Sequence, residues 1–186
     1  MIRITMTSFI RLFSLILVLF TIGCVQKEDK QKKPTTRPPN AVKAPDFTLV
    51  SLEGDWVTLS NLRGNVILLN FWATWCYPCK MEIPDLNKLQ EKYQDKGFEV
   101  VGITLTSGSP EQISKFAENW GMNYKILTDI EGNETEIVTN TYGQATGAPI
   151  SGVPTSFIID RDGYIVKTYI GPRSEQMFYN DLKHYL

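Results

Sequence analysis

The stretch VILLNFW, Val66 to Trp72, is apolar at every position but Asn70 and has the length of a single strand. A strand with one wet face alternates apolar with polar residues; a nearly continuous apolar one is covered on both faces. The patterning around it supplies the covering layers. Beyond it, Ile83, Leu86, Leu89 and Tyr93 recur at spacings of three and four, with charged residues between them, until Gly97 ends the pattern. That is an amphipathic helix.

FEVVGITL reads as a second buried strand, and PEQISKFAENWG as a second helix with Pro110 leading and Gly121 closing. YKILTD is a short third strand. TSFIID and YIVKTYIG flank the turn Arg161-Asp162-Gly163 as an antiparallel pair, and SEQMFYNDLKHYL is a closing helix. Before the buried strand, DFTLVSL and WVTLSNL alternate around Glu53-Gly54-Asp55, an N-terminal hairpin. Strands alternating with helices, then a hairpin and a last helix, predict an α/β fold with a central mixed β-sheet flanked by helices. EGNETEIVTNTYGQATGAPISG opens like a short helix and then reads as a polar, glycine-containing loop over 131–150, a lid or a surface insertion.

The first 23 residues are of another kind. MIRITMTSFIRLFSLILVLFTIG carries only Arg3 and Arg11 as charges, and Leu12 to Ile22 is apolar but for Ser14 and Thr21. That core falls short of the roughly 20 residues a membrane-spanning helix needs. A charged start, a short apolar core and a small residue before a cut describe an export signal. Gly23 followed by Cys24 resembles a bacterial lipoprotein signal, in which the cysteine is acylated and becomes the first mature residue. Thr21 stands where that pattern prefers leucine; an uncleaved signal anchor and a plain signal peptide are the other readings, and all three put the rest of the chain outside the cytoplasm. Residues 24–43, charged and proline-bearing, offer little to bury and read as a flexible tether. The globular domain is expected over 44–186.

Cleavage removes two of the 19 basic residues and none of the 20 acidic ones, leaving net −3. No basic excess points to nucleic acid, and no acidic run points to metal storage.

Cys76 and Cys79, in FWATWCYPCKMEIP, are two of three cysteines, and His184 is the only histidine. A closed zinc site needs four ligands, and with Cys24 assigned to lipid too few remain; a four-cysteine iron–sulfur cluster is excluded. Covalent haem attachment needs histidine directly after the second cysteine, where this chain has Lys80. A structural disulfide over so small a ring stabilises by only about 2 kcal/mol, against about 4.7 for a 100-residue loop. Redox exchange fits best. The pair follows a buried strand and opens a helix, whose unpaired N–H groups and positive dipole end favour thiolate at Cys76. Cys79, one turn in, is shielded and within reach to close the disulfide. No dissociable cofactor is implied, because the two sulfurs carry both electrons.

FWATWCYPCK resembles the thioredoxin active site. WATWCYPCKMEIPDL, preceded by APDFTLVSLEG, is similar to the extracytoplasmic TlpA/ResA/CcmG branch, and GVPTSFIID to that family's cis-proline loop. The resemblance runs from about Ala44 to the C-terminus. It implies a thioredoxin-like fold with an N-terminal hairpin and a central βα insertion. It makes Cys76 the nucleophile, Cys79 the resolving thiol and Pro154 a cis-proline, with the Val153 backbone pairing an extended substrate and Trp75, Tyr77 and Pro78 beside it. Asn70 stands where ordinary thioredoxins carry an aspartate and cannot shuttle a proton. From its spacing alone Glu82 reads as an exposed helix acid. The resemblance, whose extracytoplasmic branch commonly carries a glutamate three residues after the second cysteine, implies instead that Glu82, on the same helix face as Cys79, takes the proton from Cys79. Trp72 and Trp75 are expected to pack around the site; Trp120 and His184 read as ordinary helix residues.

The resemblance further implies a lipid-anchored, monomeric thiol–disulfide reductase on the periplasmic side of a bacterial membrane. Its substrates would be protein disulfides such as those of apocytochrome c, and its electrons would come from a membrane donor of the DsbD/CcdA type. A general disulfide oxidase or isomerase has the same motif, because about 30 mV corresponds to only 1.4 kcal/mol in this couple. A thiol peroxidase also opens with APDFTL, but it needs threonine or serine three residues before its reactive cysteine. Here Ala73 holds that place, with Thr74 one step off. A redox-inert module would usually lack one cysteine.

Overall fold

The structure, a computed structural model, describes residues 37–186. In chain order the elements are β1 (Val42–Lys43), β2 (Thr48–Ser51), β3 (Trp56–Thr58), β4 (Val66–Trp72), α1 (Tyr77–Tyr93) and β5 (Phe98–Thr104). There follow α2 (Pro110–Asn119), β6 (Lys125–Thr128), α3 (Glu134–Thr146), β7 (Thr155–Ile159), β8 (Tyr164–Ile170) and α4 (Glu175–Leu182). Among these residues no helix is long and apolar enough to cross a membrane.

The strands form one mixed sheet in the order β1-β8-β7-β4-β5-β6-β2-β3. All seven residues of β4 are buried. It runs parallel to β5 from Val66↔Phe98 to Trp72↔Thr104, and antiparallel to β7 from Ile67↔Ile159 to Phe71↔Thr155. Val66, Leu68 and Trp72 pack under Leu86 and Leu89 of α1, Ile113 of α2 and Phe178 of α4. Ile67, Leu69 and Phe71 pack on the other face with Leu49 and Val57 of the hairpin and with Val138 and Tyr142 of α3. The apolar run thus feeds two cores, the arrangement its pattern predicts. Each buried Leu or Phe contributes about 1.5–3 kcal/mol by leaving water.

Two boundaries differ from the sequence reading. The tether over 24–43 does not extend to residue 43 as a free segment. Val42 and Lys43 pair with Ile165 and Tyr164 at the sheet edge. Arg37 donates from Nε to Asp160 (2.8 Å) and from Nη2 to Asp162 (3.0 Å), its guanidinium 3.8 Å from the centre of the Tyr164 ring. Composition hides this order because the partners of the segment, Asp160, Asp162, Tyr164 and Ile165, are distant in the chain. The lipoprotein-type signal over 1–23 and Cys24 lie outside the described residues.

The second difference is in 131–150, where the reading stopped the helix early. It continues as α3 to Thr146. The hydroxyls of Thr139, Thr141 and Thr146 donate to carbonyls one turn back, so these polar side chains are satisfied within the helix. Its first turn is held by Glu134, which accepts the N–H groups of Ile130, Glu131 and Gly132. Gly143 looks like a loop signal but is a packing residue: a Cβ there would lie 3.1 Å from Pro149 Cα, where the chain folds back over the helix.

Candidate active site

The parallel β4–β5 pair delivers Ala73 to Cys76 at the C-terminal edge of the sheet, where the chain turns into α1. Cys76 is the residue that caps this helix. Its Sγ accepts the N–H of Cys79 at 3.1 Å. Pro78 lies in the first turn, where no intrahelical donor is needed. Cys76 and Cys79 form a disulfide with their Cα atoms 5.3 Å apart, and both are nearly buried, at 4% and 3% exposure. When the bond is reduced, the same N–H and the helix's positive end favour negative charge on Cys76.

Across from the sulfur lies the loop entering β7. The Val153–Pro154 peptide is cis, and the Val153 carbonyl oxygen is 3.5 Å from Cys76 Sγ. The N–H of Gly171 donates to the Pro154 carbonyl (2.9 Å), and the Thr155 hydroxyl donates to that of Gly152 (2.7 Å), so strand β8 and a local turn pin the loop.

The rim is aromatic and exposed. Trp75 and Tyr77 stand out into solvent at 63% and 71% exposure, while Trp72 is buried. Trp75 therefore borders the site without packing into it, and its indole N–H donates to the Thr106 carbonyl at 3.2 Å. Thr106 has φ of 45°, a left-handed backbone that a β-branched residue rarely adopts. A groove of about 280 Å³ opens between Trp75, Leu105, Thr106, Ile150 and Val153, with Thr139 of α3 along its far wall. Of the two readings of 131–150, a lid or a surface insertion, the groove favours a segment that borders the site.

Behind the disulfide, Glu82 is 2% exposed. Its Oε2 accepts from Asn70 Nδ2 (3.1 Å) and its Oε1 from the Arg173 N–H (2.8 Å). Burial pushes its carboxyl up to about 7, outweighing these hydrogen bonds, which favour the charged form. It lies one turn after Cys79 on a buried helix face. Tyr124, buried nearby, is held well above the ordinary phenol range by desolvation and then by the Glu82 charge.

Thr74, the residue one step from a peroxidase threonine, is engaged elsewhere. Its N–H donates to Ser107 Oγ (3.1 Å) and its hydroxyl to the Ser107 carbonyl (3.3 Å), while Ala73 is fully buried. Trp120 stacks on Phe116 with centroids 5.7 Å apart, and His184 is exposed. Neither joins the site.

Residues 41–168 match the AhpC/TSA family. The chain is 33% identical over 141 residues to the thiol–disulfide oxidoreductase ResA of Bacillus thuringiensis, covering 76% of this chain and 75% of that protein. It is 35% identical over 136 residues to the thioredoxin-like protein YneN of Bacillus subtilis, covering 72% and 73%. Its structure is similar to that of a thiol:disulfide interchange protein of the thioredoxin family from Chlorobium tepidum, at 32% identity and TM-score 0.67, covering 78% of this chain and 96% of that one.

Proposed function

The chain belongs to the AhpC/TSA family and is a thiol–disulfide oxidoreductase of the ResA type, and from that premise we propose that it reduces protein disulfides outside the cytoplasm, including those of apocytochrome c before haem attachment. The observation that carries this reading is the disulfide of Cys76 and Cys79, capped by the Cys79 N–H and backed by the buried Glu82 carboxyl.

In the reduced protein, the Cys76 thiolate attacks one sulfur of the partner's disulfide. A Cys76–partner bond forms and the partner's other sulfur leaves as thiolate. Cys79 passes its proton to the Glu82 carboxylate, and its thiolate attacks Cys76. The intramolecular disulfide closes, the partner's second thiolate leaves, and two electrons have moved to the partner. Val153 and the cis-Pro154 loop receive the extended segment around the partner's cysteine, with Trp75, Tyr77 and Pro78 on its other side. A membrane dithiol donor of the DsbD/CcdA type returns the electrons. Cys24 carries the lipid, and the domain works as a monomer.

The test uses the detergent-solubilised full chain, reduced and mixed with a peptide that holds an apocytochrome-type Cys-x-x-Cys-His disulfide. The peptide is expected to be reduced, Cys76→Ser to be inert, and Cys79→Ser to accumulate a mixed disulfide through Cys76. A reduction potential near the thioredoxin range, about −270 mV, is expected. No peptide reduction, with a potential near about −120 mV, would make the protein an oxidase instead.

A further inference from the structure

Asn70 interrupts the apolar run of β4, and nothing in the exchange chemistry accounts for a buried amide there. Its Nδ2 donates twice, to Glu82 Oε2 at 3.1 Å and to Ser156 Oγ at 2.8 Å. All three residues are at most 2% exposed. The contact is built into the sheet, since Asn70 and Ser156 are directly opposed in the antiparallel β4–β7 pair. Ser156 in turn lies two residues beyond Pro154, so the strand that carries the loop facing Cys76 also carries the hydroxyl that fixes Asn70.

We propose that Asn70 and Ser156 are positioning residues for proton transfer at Cys79: the hydroxyl locks the amide, and the amide holds the Glu82 carboxyl against the resolving thiol. The proposal rests on the reading of Glu82 as the proton acceptor of Cys79. An amide suits this place because it donates a hydrogen bond without bringing charge. A guanidinium would favour the charged carboxylate so strongly that it would no longer gain a proton at neutral pH, and a second carboxylate would compete for the same proton. The Arg173 N–H, on the other oxygen, belongs to the backbone and cannot turn away; the charges that also act on Glu82, the Arg173 guanidinium and the Asp85 carboxylate, oppose each other and weigh less than the two hydrogen bonds. Asn70 is therefore the adjustable half of the clamp, and Ser156 sets its orientation.

Loss of the amide donor removes a contact that favours the carboxylate form. The Cys79 resolving step then needs a higher pH. Its rate is followed from the preformed Cys76 mixed disulfide of the full chain, between pH 5 and 9, in the wild type and in Asn70→Leu, Ser156→Ala, Ser156→Thr and Glu82→Gln. Asn70→Leu is expected to move the inflection upward by about one unit, which slows the step roughly tenfold below it. Ser156→Ala moves it the same way by less, and Ser156→Thr, which keeps the hydroxyl, returns it toward the wild-type position. Glu82→Gln removes the inflection. If Asn70→Leu does not fold, Ser156→Ala against Ser156→Thr decides. An unmoved inflection in Ser156→Ala, with the inflection lost in Glu82→Gln, overturns the positioning role alone. An unchanged profile in Glu82→Gln overturns the proton-acceptor reading, and the positioning role with it.

Discussion

Glu82 and Asp160 are buried to the same depth, each 2% exposed, yet their surroundings ask opposite things of them. Asp160, at the end of β7, accepts from the guanidinium of Arg37 and from the N–H groups of Asp162 and Tyr164 at 2.8 to 3.0 Å. A full positive charge and two backbone donors offset its desolvation, and the pair fastens the start of the domain to the β7–β8 turn. Glu82, near the other end of that sheet region, has only neutral donors, an amide and one backbone N–H. The Arg173 guanidinium is turned to the carbonyls of Ile170, Gly171 and Pro172, so its charge favours the carboxylate only through space and less than either hydrogen bond does. Burial alone therefore does not tell an acid held by a cation from one held by neutral donors; the charge of the donors does.

The largest expected effect breaks the structural pair. Arg37→Ala leaves Asp160 buried without its cation and is expected to cost about 3 kcal/mol in urea denaturation at pH 7, with exchange per folded molecule unchanged. Full stability in that variant would mean that the two backbone donors suffice, and the contrast with Glu82 would lose its basis.

Glu82→Gln is expected to act in the opposite direction. The folded-state pKa of Glu82 is raised from 4.5 to about 7. Its contribution to stability is thus fully present below the unfolded value and is lost as pH rises through about 7. The loss amounts to roughly 3 kcal/mol across that window. Glu82→Gln, which has no such proton to lose, should gain on the wild type by that amount between pH 4.5 and pH 8. Parallel stability curves for the two proteins would place Glu82 beside Asp160 as a merely structural acid.

A smaller effect lies at the rim of the same pole. Thr106→Gly relieves a left-handed backbone strain of order 1 kcal/mol, but it adds unfolded-state freedom of about 0.4–1 kcal/mol. Stability should change by less than about 1 kcal/mol, while KM for a peptide disulfide rises because the backbone carbonyl that anchors the Trp75 indole is held less rigidly. An unchanged KM would remove Trp75 and its groove from substrate contact.

What the sequence makes legible follows the range of the forces involved. The run Val66 to Trp72, the Cys-x-x-Cys step into α1 and the hairpin are local patterns, and each is found where the pattern places it. Asn70 is legible only as a missing aspartate; its use as a donor depends on Ser156, 86 residues away. The Arg37–Asp160 pair spans 123 residues, and no local periodicity marks it. In α3, threonines and Gly143 give loop-like signals. Back-bonded hydroxyls and a close backbone contact override them.

The most direct measurement is the titration of the Glu82 side-chain carboxyl in the oxidised full-length protein, followed by carbon NMR with selective labelling of glutamate. A midpoint near 7 is expected, the value of a buried acid held by neutral donors. A midpoint near the ordinary glutamate value of about 4.3 would contradict it, leaving Cys79 without a buried acid that exchanges its proton near neutral pH.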